Sequence, residues 1–411
     1  MQKSFTCCVG TGMENHALHG DGIYYESADT VWVNIFAPST AELSSGAKVS
    51  MESDFPDGDT AKLAFTVPRG SQTFTLQLRR PGWAGDAFAV KVNGQRIDVP
   101  PVASLRVGGA GGRDLGFDAG TLPSSYVSIA RAWKTGDVVE VAIPKSLRLE
   151  PTPDDKSVAA IMWGPLVIAG DLGPRRQGPG SSPITPLALV AANGPVDSWV
   201  LPVGDHVGNF RANGVARSLS SPSNPASSVV LAPFYRTHGR TYAVYFDVLT
   251  PSGFDAKVAS RAADAERQRR LEAATVGSIR PGDAANEQTV NYRSEPADRP
   301  VIRTNNRTAR GGPGWLSYDL PVDGSADSAV VVTYFNDLGL PVVTDFRILV
   351  DGTAIARYTP NREAAEFWDA VYPVPSALAS GKNKITVRFE APANERIAPI
   401  YAVRVVRAKG M

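Results

Sequence analysis

The chain's whole supply of thiols is one adjacent pair, Cys7 and Cys8, in the opening stretch SFTCCVGTGMENHALHGDGIYY. Two cysteines make no disulfide framework, and neighbours in sequence bond to each other only through a strained ring. A thiol just ahead of a helix N-terminus is a different matter. Unpaired backbone N–H groups and the helix dipole favour its thiolate, and a metal ion would favour it further. Glu14, His16 and His19 lie close by in sequence. A closed zinc site wants about four N, S or O donors, of which the thiols supply only part. Two readings therefore stand side by side: a local metal site completed by the Glu/His residues, or two small buried thiols with no chemistry.

Other chemistry is thinly represented. His206 and His238 are isolated and read as surface or turn residues. No Ser/His/Asp grouping with a nucleophile elbow occurs. VGGAGGRDLG follows no strand–helix pattern, so it reads as a loop rather than a phosphate cradle. Trp32, Trp83, Trp133, Trp163, Trp315 and Trp368 could stack on sugar rings, against the simpler reading of core packing.

The elements that must position these residues are mostly strands. The 411 residues suggest two or three domains. Hydrophobic content of 43% is that of a globular protein, and a net charge of +1 without a basic stripe argues against a nucleic-acid partner. No apolar run could span a bilayer, so no membrane partner is expected. MQKSFTCC lacks the apolar core of a signal peptide. A cytoplasmic location is the default, with a secreted or periplasmic one open if Met1 is an internal methionine.

Along the chain, residues 8–20 read as the end of a helical region, with Thr11 and Glu14 as a capping box and Gly20 as a stop. So short a helix needs neighbours to persist. Period-two patterns then take over. Asn93-Gly94 and Asp351-Gly352 mark hairpins, Lys134–Asp137 marks another turn, and SVAAIMWGPLVIAGDLG reads as one strand buried on both faces. The expected fold is all-β, with tandem β-sandwich domains, a short N-terminal helical remnant and one linker helix. The expected spans are 1–22 for the remnant, 23–172 for a sandwich and 184–255 for a small β-module behind the linker PRRQGPGSSP. A helix over 256–276, with its charged side solvated, and a second sandwich over 277–411 complete the chain.

The opening block resembles the active-site block of glycoside hydrolase family 127, the β-L-arabinofuranosidase group. VWVNIFAPS, LRRPGW, YVSIARAWKTGDVVEVAIP, LRLEPTPDD and VAAIMWGPLVIAG extend the resemblance in order over about residues 4–172, and 184–250 and 285–408 resemble accessory β-modules of bacterial members. The resemblance implies a helical (α/α)6 barrel followed by β-sandwiches, with a zinc ion held in the barrel by three cysteines and a glutamate. It implies a retaining mechanism in which Cys7 is the nucleophile and Cys7 and Cys8 are zinc ligands. Glu14 and His16 are the candidate substrate contacts.

The chain departs from that pattern, because in the family the barrel, the other ligands and the acid/base precede the Cys-Cys block. The expectation is a C-terminal part of such an enzyme, inactive alone and with no acid/base in this chain. Its partners would be a plant-type glycan or arabinose-containing oligosaccharide, and a separately encoded barrel if the enzyme is split. The alternative is a non-catalytic carbohydrate-binding or interaction protein.

Overall fold

The computed structural model describes residues 6–18, 20–68, 70–100, 124–175, 187–191, 194–204, 206–297, 299–336, 344–361 and 367–410. VGGAGGRDLG and most of PRRQGPGSSP lie outside them. The chain divides into two compact units, Met1–Val258 and Ala259–Met411.

The first unit opens with helix α1, Thr6–Ala17, and continues as a β-sandwich. One sheet orders the strands Tyr24–Glu26, Thr30–Val33, Ser71–Arg80 and Ser125–Lys134. The facing sheet has six strands, with Lys48–Ser53, Thr60–Thr66, Val138–Ala142 and Ala89–Val92 at its centre. Alternation makes the sandwich: Thr60–Thr66 buries Ala61, Leu63 and Phe65 and turns its other residues outward. Asn93 and Gly94 turn the predicted hairpin with φ of 50° and 80°, the two positive values that a two-residue type I′ turn requires. In the core Trp133 is wholly buried, packs on Phe65 and Phe74, and donates its indole N–H to the Phe74 carbonyl at 3.0 Å.

Residues 147–172, read from sequence as part of this sandwich, leave it. The apolar run breaks at Gly164, whose φ is +56°, into the strands Val158–Trp163 and Leu166–Pro174. The first pairs with Tyr245–Leu249 and the second with Ser227–Pro233. Because the two also pair with each other, the nine-stranded sheet closes on itself around Ile161, Ile168, Leu189, Phe210, Leu231 and Phe246. A run buried on both sides carries no periodicity to say which sheet it joins.

Lys145 stands where the chain passes from the sandwich to this closed sheet. Its side chain has no exposed surface; the ammonium donates to the Gly58 carbonyl, pairs with Asp59, and lies 4.5 Å from the centre of the Trp163 ring. A Cβ on Gly164 would come within 2.5 Å of the Lys145 side chain, so this glycine serves close approach as well as the turn.

Helix α2, Pro251–Ala274, begins earlier than expected, with Pro251 in the first helical position where its missing N–H is harmless. Most of it is solvent-exposed, as its charge pattern suggests. The second unit is a sandwich of a six-stranded and a five-stranded sheet. The six-stranded sheet centres on Ser328–Phe335 and Ile397–Arg407, flanked by Phe367–Val374 and Arg307–Gly312, and the Asp351-Gly352 hairpin lies in the other sheet. Tyr318, Tyr334, Phe346 and Phe389 fill the space between them.

A buried polar cluster pins the edge of this core. Glu287 accepts two hydrogen bonds from Arg310 at 2.9 and 2.8 Å and one from the Gly282 amide. Arg299, 4% exposed, donates to the carbonyls of Gly311, Glu295, Pro313 and Trp315. Breaking a buried pair strands its partner's charge, so Glu287→Ala should cost about 3–5 kcal/mol. Arg293→Ala, which removes a half-exposed partner of Asp319, should cost about 1 kcal/mol or less. Denaturant unfolding of both variants, followed on the transition of the second unit, measures the difference.

Candidate functional site

Helix α1 brings Cys7, Cys8, Glu14 and His16 onto one short element. The backbone places both cysteines in its first turn, not ahead of the helix as the sequence suggested. Thr11 and Glu14 do not cap it either: the helix already runs from Thr6. Where upstream residues are themselves helical, a Thr-x-x-Glu pattern is carried inside the helix instead of starting it. The helix ends at Ala17, before Gly20. His19 and the side chains of Cys7, Cys8 and His16 lie outside the described residues, whereas Glu14 is exposed.

The connection to the sandwich is a run of tight turns. Leu18 N–H donates to Asn15, Asp21 to Leu18 and Ile23 to Gly20, and Asn34 then donates to the Ile23 carbonyl at 2.9 Å. Ile23 and Tyr24 pack on the sandwich core. Tyr24 shares a 2.9 Å hydrogen bond with Ser39, and burial raises its phenol above the ordinary value. Around this junction apolar side chains face solvent: Met13 is 70% exposed, Leu18 55% and Tyr25 55%.

The LRRPGW motif performs a structural task. Arg80, 3% exposed, donates to the carbonyls of Pro100 and Gly85 and to the Asp86 carboxylate, fixing the 3-10 turn Gly82–Ala87. Trp83 in that turn stacks on Phe55. The other tryptophans also serve packing: Trp163 meets Phe210 edge-on, Trp368 packs on Tyr334, and Trp315 lies under Arg388. Trp32 is half-buried, and His206 and His238 are exposed.

Among the described residues no group of three or more His, Cys, Asp or Glu side chains could hold a metal ion. Helix α1 carries two thiols, Glu14 and His16, of which only the Glu14 side chain is among the described residues. The arrangement of these donors is therefore not part of the geometry, and no chemical step is routed through a metal.

Residues 30–145 match the family model for the beta-L-arabinofuranosidase GH127 middle domain, the span of the first sandwich. That sandwich resembles GH127. Residues 270–406 match a family of unknown function, DUF6805. Among solved structures, a GH127 β-L-arabinofuranosidase from Geobacillus stearothermophilus T6 is 20% identical, with a TM-score of 0.40 over 59% of this chain and 37% of that one. A protein described as a glycoside hydrolase is 20% identical with a TM-score of 0.44, over 60% of this chain and 40% of that one. The chain thus spans about two fifths of the length of these proteins. No curated protein matches it. Among the described residues no helix is long and apolar enough to cross a membrane.

A helix this short, exposed along residues 10–15, has little tertiary packing to offset its nucleation cost. Limited proteolysis should cut before about residue 22 and leave the sandwich intact, read by N-terminal sequencing of the stable product. Protection of residues 6–17 in a monomer would show that α1 packs tightly on this chain.

Proposed function

We propose that this chain carries the thiol pair and the β-domains of a retaining glycoside hydrolase of the β-L-arabinofuranosidase type, and that it releases no sugar unaided. The observation that carries the reading is the GH127 middle-domain match over residues 30–145, directly behind the helix that bears Cys7 and Cys8. In this reading Cys7 is the nucleophile, Cys8 its companion in binding zinc, and Glu14 and His16 touch the substrate, an arabinose-containing oligosaccharide. These roles rest on the family resemblance of the Cys-Cys block. The remaining zinc donors and the acid/base belong to a catalytic barrel, and the solvent-facing Met13, Leu18 and Tyr25 suit a surface that receives it.

Glycoside cleavage needs a proton donor for the leaving oxygen as well as a nucleophile or a base. The purified chain should therefore liberate no aglycone from an aryl β-L-arabinofuranoside. Turnover that disappears in Cys7→Ser would overturn this reading, because the chain would then hold a complete site.

Zinc retention offers an independent check. Two thiolates without further fixed ligands bind zinc weakly, since affinity follows the completeness of the shell. After dialysis against a mild chelator the chain should hold far less than one zinc per molecule by elemental analysis. Stoichiometric retention that falls in Glu14→Ala or His16→Ala would instead establish a local site.

A further inference from the structure

A cleft of about 1400 Å³ lies on the outer face of the six-stranded sheet of the second unit. Strand register explains its floor. Val331 pairs with both Val371 and Arg404, and Thr333 with both Asp369 and Ala402, so these residues form two cross-strand rows, all bordering the cleft. The last turn of α2 covers the adjoining part of the sheet, where Leu271 and Ala274 pack on Ala329, Val331 and Val406. The helix thereby becomes one wall and leaves the remaining face open. Phe367 and the buried Tyr401, packed edge to face at 5.0 Å, also border the cleft.

Charge is distributed unevenly in this cleft. Arg267, Arg270, Arg280, Arg307 and Arg404 line it against Glu266, Asp283 and Asp369. Each carboxylate has a partner: Glu266 pairs with Arg269 and Arg270, Asp283 accepts the Asn286 amide, and Asp369 accepts the Thr333 hydroxyl. Arg280, Arg307 and Arg404 are in no ion pair among the described residues. Arg307 is nevertheless held in place, its guanidinium 4.1 Å from the centre of the Phe367 ring. An arginine oriented by an aromatic face and left without a counter-ion is prepared for an anionic ligand.

We propose that this cleft binds an acidic oligosaccharide, a sugar chain bearing carboxylates. The unpaired guanidiniums would take the carboxylates, and the part-exposed Phe367 would offer apolar contact to a ring. Asp283, Asp369 and Thr308 would accept or donate hydrogen bonds to sugar hydroxyls. The interleaved carboxylates disfavour a ligand that presents phosphates alone, such as a nucleic-acid backbone, and suit one whose charged units also carry free hydroxyls. The volume exceeds the roughly 300–1,000 Å³ of a small-molecule pocket, so several linked sugars are accommodated. The cleft belongs wholly to the second unit, so the proposal does not depend on the hydrolase reading of the first.

Titration calorimetry of the full chain with oligogalacturonate, a neutral arabino-oligosaccharide of equal length and oligouridylate tests it. Oligogalacturonate should bind, more weakly as salt rises, and more tightly than either comparison. A charge-assisted hydrogen bond lost in Arg404→Gln or Arg307→Ala should lower affinity about tenfold or more. Arg96→Ala, an exposed arginine on the first sandwich, should leave affinity unchanged. Arg307 is exposed, so its variant should keep the native near-UV circular dichroism even if Arg404→Gln fails to fold. The proposal is overturned by absence of binding, by equal binding of the neutral chain, by tighter binding of oligouridylate, or by a folded Arg307→Ala with undiminished affinity.

Discussion

A β-sheet has two faces, and a sandwich can bury only one face of each sheet against the other. This constraint organises the chain. In the first sandwich Leu63, Phe65, Leu76 and Trp133 fill the space between the sheets. Glu52, Lys62, Glu140 and Lys91 then stand in one cross-strand row on the outer face of the six-stranded sheet, with charges alternating in sign. In the second unit two outward rows instead carry Val331 with Arg404 and Thr333 with Asp369, and the end of α2 covers only part of that face. What each domain can do beyond folding depends on what its outer face is given to carry.

Much of this was legible in the sequence, for reasons that differ from element to element. Asn93-Gly94 and Asp351-Gly352 were readable because their turn type demands positive φ at both positions, which few residue pairs satisfy. The sandwich strands were readable because one face is wet and one is dry. The closed sheet over residues 147–249 was not, because Val158–Trp163 and Leu166–Pro174 are apolar throughout and only tertiary pairing decides where they go. The start of α1 was misplaced because the Thr11/Glu14 pattern is as compatible with a helix interior as with its first turn.

The site was legible unevenly too. The thiol pair is contiguous and is seen at once. The arginines of the open cleft sit at positions 280, 307 and 404, on separate segments that only the sheet brings together, and they leave no local charge signal. That they form no ion pair among the described residues is a property of the fold. The same holds for Arg80 and Lys145: nothing local in the sequence marks either as a cation that the turns and rings around it bury.

The contact between Lys145 and Gly164 constrains how this chain can change over time. The two positions share one small volume, so a side chain at 164 and a long one at 145 exclude each other. Neither substitution can drift independently: a lineage that gains a side chain at 164 must shorten residue 145, and with it surrender the cation enclosed near Trp163 and the anchor on the Gly58 turn. Relatives that keep the passage from sandwich to closed sheet should therefore vary at these positions as a pair, and that covariation would mark the boundary between the two folds even where sequence identity is too low to align them.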